Sequence, residues 1–524
     1  MGDDGKIKVL LEMRPALDGY AGIPQETRLL FRGLCTTDSI AVEGLLQTAH
    51  RFLPSGTSTG CPTPSESSNA SNLHHYSRII IALETKPSGK PLDVAVRYLK
   101  KQLTAYSLTL FSLLMPDKRT VKLTRFESHL FKDFIWRTMF EKTLPASDFE
   151  AVTNHDYRVC PVPWNILQSA GLNSLLFSSK PVYPLFDTQG ADIFIAQTPY
   201  PARVAGNTTL VVRYHDALPV LMPHTIAHKS RHQATHYYAL MSNVQSGAYF
   251  ACVSEATRQD LLRMFPEVEG RSATIHNMVS HHYFDEPSPP EEIGQIIRAR
   301  LNLQSADAHP NFATHRDQED FYMQHVHTCP IKYLLIVSTI EPRKNHTRLI
   351  AAWRDVRSQK DPSLKLIIVG NLGWDTEPIL REMRPWIDQG QIFLLHNVPA
   401  DELRKLYHNA AATVCPSLGE GFDFSGIEAM RSGGVVISSD IPVHREVYAN
   451  AAEYFDPYST EDLAAAITKV LFSPDSRSIC EGLRSHGNEV SSRYLPERVL
   501  PQWTTFLKQV SGDGLSDFAR KDTI

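Results

Sequence analysis

The order of apolar and polar positions divides the chain into two stretches in which short apolar runs alternate with helical patterns. Residues 7–12 (IKVLLE) form a near-continuous apolar run and predict a buried strand. A glycine-containing turn follows at 18–24 (DGYAGIP), with a helix expected from about Gln25. Further runs predict parallel strands at 78–83, 192–197, 210–214 and 249–253. Ser254 stands as an N-cap before a helix ending near Met264. The alternation restarts at Ile331, with strands expected at 333–337, 364–369, 392–395, 412–415 and 435–438. Helices are expected between them at 345–356, 400–408, 425–431 and 461–471. This pattern predicts an α/β protein of two doubly wound, Rossmann-like domains facing a deep interdomain cleft, with ligands at the carboxyl ends of the strands.

The expected division is a first domain over 1–285, a linker and histidine-containing insert over 286–330, a second domain over 331–490, and a returning helix with a frayed tail over 491–524. Pro287, Pro289 and Pro290 mark the linker, and 305–330 is the insert. The helix 496–510 is expected to pack back on the first domain. Residues 55–72 (SGTSTGCPTPSESSNASN) are low in complexity and predict a flexible surface loop.

Composition narrows the function. The 524 residues are 42% hydrophobic and 21% charged, which is ordinary globular usage and excludes wholesale disorder. With 53 basic against 57 acidic side chains the formal charge is −4, so no global basic excess points to nucleic acid. No apolar run reaches the roughly 18 residues of a membrane span. The start, MGDDGKIKVL, is acidic and unlike a signal peptide, and Lys6 stands where a myristoylation signal requires Ser or Thr. Seven scattered cysteines without a C-x-x-C pair fit a reducing cytoplasm. Residues 78–142 differ from the rest, with 13 basic and 6 acidic side chains interleaved with aromatics. That stretch faces either an anionic membrane or water. The expected location is cytoplasmic, with peripheral contact at the inner face of the plasma membrane as the extension of that reading.

Candidate chemistry concentrates in two segments. Residues 416–430 read PSLGEGFDFSGIEAM. Glu420 and Glu428 are separated by seven residues, and Gly421 lets the backbone approach a ligand closely. Phe422, Asp423 and Phe424 lead into a helix beginning near Ser425-Gly426, whose free N–H groups and dipole form an anion site. A phosphate ester of a polyhydroxy ligand suits this layout, with the carboxylates accepting from hydroxyls. Residues 338–345 (STIEPRKN) place Arg343 and Lys344 just after a predicted strand. Arg takes phosphate oxygens bidentately and Lys acts as a point charge. An Arg-Lys pair is ordinarily a solubility feature; its position at the carboxyl end of the same sheet singles it out. His215, between a strand and Asp216, is a third candidate. His309, His315, His325, His327 and Cys329 crowd the insert, but H-x-H-x-C is not a standard metal site, and an exposed loop is expected.

These residues carry a family resemblance. The pattern E-G-F-x-x-x-x-x-E-A-M from Glu420 to Met430 resembles the E-x7-E signature of the retaining GT-B glycosyltransferases of family 4, glycosyltransferase group 1. Residues 341–345 resemble its R-K donor-phosphate motif; Val369-Gly370 with Gly373-Trp374, Ser439-Asp440 and 452–458 (AEYFDPY) are further likenesses. Residues 18–31 and Tyr214-His215-Asp216 are similar to the family's glycine loop and H-D segment. The likeness is strongest over 331–471, moderate over 7–31 and 211–277, and absent over 51–191. Nearest are mannosyl- and rhamnosyltransferases of bacterial surface polysaccharide (O-antigen or capsule-like) synthesis.

The resemblance implies the GT-B fold and transfer of mannose or D-rhamnose from a nucleotide diphosphate sugar, GDP-mannose or GDP-D-rhamnose, to a glycan or lipid-linked glycan. By position it implies that Arg343 and Lys344 hold the diphosphate, Glu428 the ribose and Glu420 the transferred sugar. Gly22 approaches the sugar–phosphate junction, Val398 lies by the base, and His215 serves the sugar or acceptor. It implies no cofactor and no metal, the two cations replacing Mg²⁺. One departure is that the family often has Gly-Leu-Pro after E-G-F, where this chain has Asp423-Phe424-Ser425. The alternatives are a UDP-sugar transferase, a non-catalytic nucleotide-sugar-binding subunit, and a glycan phosphorylase, for whose pyridoxal phosphate no suitable lysine is evident.

Overall fold

The computed structural model describes residues 5–19, 22–57, 66–85, 88–118, 121–327 and 330–512, with 66–69 as backbone only. Tyr20 and Ala21 of the glycine turn, residues 58–65, Cys329 and the tail from 513 lie outside the described residues.

Among these residues the first sheet contains β1 (Ile7–Glu12), β2 (Ile40–Leu46), β3 (Thr124–Phe126), β4 (Tyr157–Val159), β5 (Ile193–Ala196), β6 (Thr209–Tyr214), β7 (Tyr249–Cys252) and β8 (Ser272–Thr274). Their order is β3-β4-β2-β1-β5-β6-β7-β8, parallel except for β3 against β4. The second sheet contains β9 (Tyr333–Val337), β10 (Lys365–Val369), β11 (Ile392–Leu395), β12 (Ala412–Cys415), β13 (Val436–Ser439) and β14 (Ala452–Phe455). It runs β11-β10-β9-β12-β13-β14, all parallel. Strand order reverses between β9 and β12, so the loops leaving those strands splay apart and open a crevice.

Double burial explains the continuous apolar runs. In β1, Val9 and Leu11 enter one apolar layer and Leu10 the other. In β9, Tyr333 and Leu335 face one layer, Leu334 and Ile336 the opposite one. Sheets covered by helices on both faces select such runs over alternation.

Three expectations fail for identifiable reasons. Residues 78–83 belong to the helix Glu66–Glu84, not to a strand. A short run such as RIIIAL fits either period. Tyr76, Ile79 and Leu83 are buried at helical spacing while Ile81 is exposed. The same helix takes up the end of the low-complexity segment, 66–72. The insert is not an exposed loop. Thr314 and Asp317 form a capping box at the helix His315–His325, and Phe321, Tyr322 and Val326 pack into the core of the second domain. Among the described residues no three His, Cys, Asp or Glu side chains could hold a metal together.

The helix Pro496–Ser511 crosses back to the first domain. Val499, Trp503, Phe506 and Leu507 join the apolar layer containing Val9 and Leu11. Trp503 is fully buried, its ring 5.1 Å from the Arg213 guanidinium. Trp503→Ala is expected to cost about 3–5 kcal/mol. A denaturant titration of the first domain's unfolding checks this, and an unchanged midpoint would contradict the packing role.

Candidate functional site

A cavity of about 300 Å³ lies between the domains where the second sheet reverses order. Gly22, Ile23, His215, Asp216, Val253 and Asn277 line it from the first domain. Glu341, Arg343, Lys344 and Trp374 line it from the loops leaving β9 and β10, and residues 420–425 with Glu428 from the loop and helix after β12. A larger groove of about 590 Å³, including Lys6, Lys8, Ile40 and Ala41, opens instead at the amino ends of β1 and β2. Carboxyl ends of parallel strands are where such folds bind ligands, so the smaller cavity is the candidate site.

The first-domain wall is anchored by a buried ion pair. Gly22 has φ 73°, a left-handed conformation that glycine adopts without strain. It opens the helix Ile23–Cys35. From that helix, Glu26 pairs with Arg213 of β6 at 3.0 Å, both side chains fully buried. Arg213 also donates to Asn277 Oδ1 at 2.7 Å and to the Ile275 carbonyl at 2.6 Å. Two residues beyond Arg213, the chain leaves β6 through His215 and Asp216. Burial, with Arg213 nearby, pushes the His215 pKa well below its usual value, so the imidazole is neutral. Burial raises the Asp216 pKa, although Arg343 opposes the shift.

The second-domain wall is a charge cluster. Glu420 bridges both cations, with Lys344 Nζ 2.5 Å from Oε1 and Arg343 Nη1 2.8 Å from Oε2. Arg343 Nη2 also lies 2.8 Å from Glu341 Oε1, and Nη1 donates to the Gly419 carbonyl at 2.7 Å. Burial works against the charges of Arg343 and Glu420, but their mutual attraction wins: Arg343 is raised and Glu420 lowered. Asn345, at φ 58°, fastens the cation loop by donating to the carbonyls of Pro416 and Pro457 at 3.1 and 3.0 Å. Asn is among the few non-glycine residues at ease in that conformation.

The domains meet directly over the site. A Cβ on Gly421 would lie 1.8 Å from the His215 carbonyl oxygen, so the contact requires glycine. Ser254 Oγ donates to the Gly421 carbonyl at 2.7 Å. Gln25 Nε2 donates to Glu428 Oε1 at 2.9 Å, and Tyr407 to Oε2 at 3.2 Å. Burial pushes Glu428 up to about 7 against those hydrogen bonds. Trp374 Nε1 donates to the Thr225 carbonyl at 3.0 Å, bridging the two halves.

All the candidate residues except Val398 therefore line one cavity. Val398 instead packs in the core of the second domain. The helix anion site also differs from expectation. The helix Phe424–Arg431 is capped by Asp423, whose Oδ1 accepts from Ser425 N at 3.2 Å. His444 Nε2 lies 3.2 Å from Asp423 Oδ2. Burial opposes the Asp423 charge, but His444 and then Lys344 outweigh it and hold the pKa far below the ordinary carboxylate range. A resident carboxylate thus already sits at the amide end assigned to phosphate. Asp423 has φ 65°, strained for a side-chain-bearing residue. Gln25, Glu341 and His444 are not singled out by the sequence as site residues; for Trp374 the sequence leaves open a role sheltering the cleft or capping a loop, and the residue lines the cavity. Gln25, Glu341 and Trp374 lie inside quoted motifs, whereas nothing in the spacing marks His444.

Comparisons with known proteins bear on the family likeness and on the fold. Residues 324–481 match the model of the family described as Glycosyl transferases group 1. The chain is 35% identical over 140 residues to the serotype-specific mannosyltransferase WbdA of Escherichia coli, covering 26% of this chain and 17% of that protein. It is 26% identical over 241 residues to the O-antigen chain mannosyltransferase B of Escherichia coli, covering 46% of this chain and 56% of that protein. The chain thus spans only part of these relatives. Sucrose-phosphate synthase from Thermosynechococcus elongatus superposes with a TM-score of 0.55 at 14% identity, over 97% of this chain and all of that one, a likeness of fold.

Asp423→Asn keeps a residue tolerant of positive φ while removing a buried negative charge. It is expected to tighten pyrophosphate binding about tenfold, by relieving like-charge repulsion. Calorimetric titration reads this; equal or weaker binding would contradict a competing carboxylate.

Proposed function

We propose, from the premise that residues 324–481 are a group 1 glycosyltransferase domain in a GT-B frame, that this protein is a retaining hexosyltransferase. Its donor is a GDP-linked hexose, GDP-mannose or GDP-D-rhamnose, and its acceptor a glycan or lipid-linked glycan of surface polysaccharide synthesis. The observation that carries this reading is the convergence of Arg343, Lys344, Glu420 and Glu428 on one cavity faced by His215. That these relatives are named as mannosyltransferases supports the choice of sugar.

The residues divide the work by charge. The donor diphosphate takes Arg343 and Lys344 from Glu420, and the two cations offset charge building on the leaving oxygen. Glu420, released, accepts from hydroxyls of the transferred hexose. Glu428 accepts from the ribose in place of Gln25. Neutral His215 hydrogen-bonds the sugar or the incoming hydroxyl without adding charge. The bond to the diphosphate oxygen breaks and the acceptor oxygen attacks on the same face of an oxocarbenium-like sugar, its proton passing to the departing phosphate oxygen, and the anomeric configuration is retained. No metal or other cofactor is part of this proposal.

Lys344→Ala is expected to reduce turnover by about 10²–10³-fold with little loss of fold, because the side chain faces the cavity. Near-normal turnover would contradict the phosphate role. Full activity in EDTA is expected; loss restored by Mn²⁺ would overturn the metal-free reading. A screen of GDP-, UDP- and dTDP-sugars should show turnover with a GDP-hexose. Turnover with UDP-sugars alone would overturn the donor, and binding without turnover across glycan acceptors would favour a non-catalytic subunit.

Glu428 supplies a pH test. A ribose hydroxyl donates best to a carboxylate, and this group titrates at about 7. Nucleotide affinity should therefore rise as pH climbs through that value, and Glu428→Gln should flatten the rise. A pH-independent wild-type affinity would count against the ribose contact.

A further inference from the structure

The helix Pro91–Leu114 carries an apolar stripe that none of the described residues covers over most of its length. Its buried residues are Ala105, Leu108, Thr109 and Ser112, all in the C-terminal half. These pack against the helix Trp164–Ser174, where Thr109 Oγ1 donates to the Ala170 carbonyl at 3.0 Å. On the opposite side Leu92, Val96, Leu99, Leu103, Tyr106, Leu110 and Leu114 repeat at steps of three and four, and every one is exposed. Leu92, Leu103 and Leu114 are 76%, 67% and 69% exposed, spanning the whole helix. Scattered surface leucines need no explanation; a continuous stripe of this length does.

Charge decides between the occupants. Over residues 86–122 the sequence has eight basic side chains and two acidic ones, Asp93 and Asp117. Lys86 and Lys90 precede the helix, Arg97, Lys100 and Lys101 lie within it, and Lys118, Arg119 and Lys122 follow it. A second copy docking on this stripe would bring like charges together. An anionic lipid surface is complementary to both features, accepting the apolar stripe at the acyl boundary and the cations among its headgroups. No described helix is long and apolar enough to cross a membrane, which suits a helix lying in the interface.

Position adds a second argument. Lys100 Nζ sits 4.4 Å from the Phe52 ring, in the loop that leaves the carboxyl end of β2. This places the middle of the helix on the carboxyl side of the first sheet, the side from which Gly22, His215 and Asp216 line the cavity.

We infer that this face is a membrane-docking surface, in which the helix Pro91–Leu114 lies in the headgroup region of a bilayer containing anionic lipid. The inference stands without the transferase reading. Where that reading also holds, the surface brings the first-domain side of the cleft toward a lipid-linked acceptor. The full chain should float with phosphatidylcholine vesicles containing phosphatidylglycerol and not with phosphatidylcholine alone. Leu99→Glu with Leu103→Glu should weaken that binding by about tenfold or more, as should Lys100→Glu with Lys101→Glu. Pyrophosphate affinity should be unchanged in both variants, which separates lipid docking from the cleft. These side chains are at the surface, and an unaltered circular dichroism spectrum checks the fold of each variant. Absence of flotation, equal flotation on both vesicle types, or a dimer that dissociates in the leucine variant without any lipid binding would each overturn the proposal.

Discussion

A buried carboxylate shared between two cations organises the candidate site. Glu420 lies between Arg343 and Lys344 with little solvent to shield any of the three. Removing Glu420 would leave two buried cations side by side, whereas loss of Lys344 still leaves the Arg343–Glu420 pair. The cluster therefore joins the loop after β9 to the loop after β12, the pair that frames the reversal of strand order. It also presets the chemistry. The cations are held extended and in register, so an incoming diphosphate finds them in place and has only to replace Glu420 as their partner. That exchange couples phosphate binding to the release of an acceptor group for the sugar.

The second constraint is the meeting of the two domains at Gly421. The approach to the His215 carbonyl leaves no room for a side chain. The His215 position depends in turn on β6, which the buried Arg213–Glu26 pair ties to the helix after Gly22. Trp503 covers Arg213 from the returning helix. A line of packed, mutually dependent groups thus runs from the C-terminal helix through the first domain to the cavity. Gln25 and Glu428 close it from the other side. These contacts connect a helix distant in sequence to the walls of the cleft.

Much of this was legible in the sequence because local chemistry and global fold agree. The run IKVLLE, the E-G-F loop and the R-K turn each have one good structural setting, and each occupies it. The segment 78–83 was misread because RIIIAL satisfies two periods and only the burial of Tyr76, Ile79 and Leu83 discriminates. The insert was misread because its polarity hides two aromatics that reach the core. The side chain of Val398 belongs to the core, which leaves only its backbone for the base that the resemblance places beside it. Asp423 carried the most instructive signal: a departure from the family's glycine was visible, but its consequence, a helix cap aimed at His444, required coordinates. Partners brought together by folding, such as Gln25 with Glu428, leave no trace in spacing.

The most direct test is a crystal structure of the full chain with a nucleoside diphosphate, reading the surroundings of Lys344 Nζ. The account predicts a pyrophosphate oxygen within hydrogen-bond distance of Lys344 and Arg343, with Glu420 displaced from its 2.5 Å contact with Lys344. A nucleotide bound elsewhere, or bound with the Glu420–Lys344 pair intact and the phosphates remote from both cations, would contradict it.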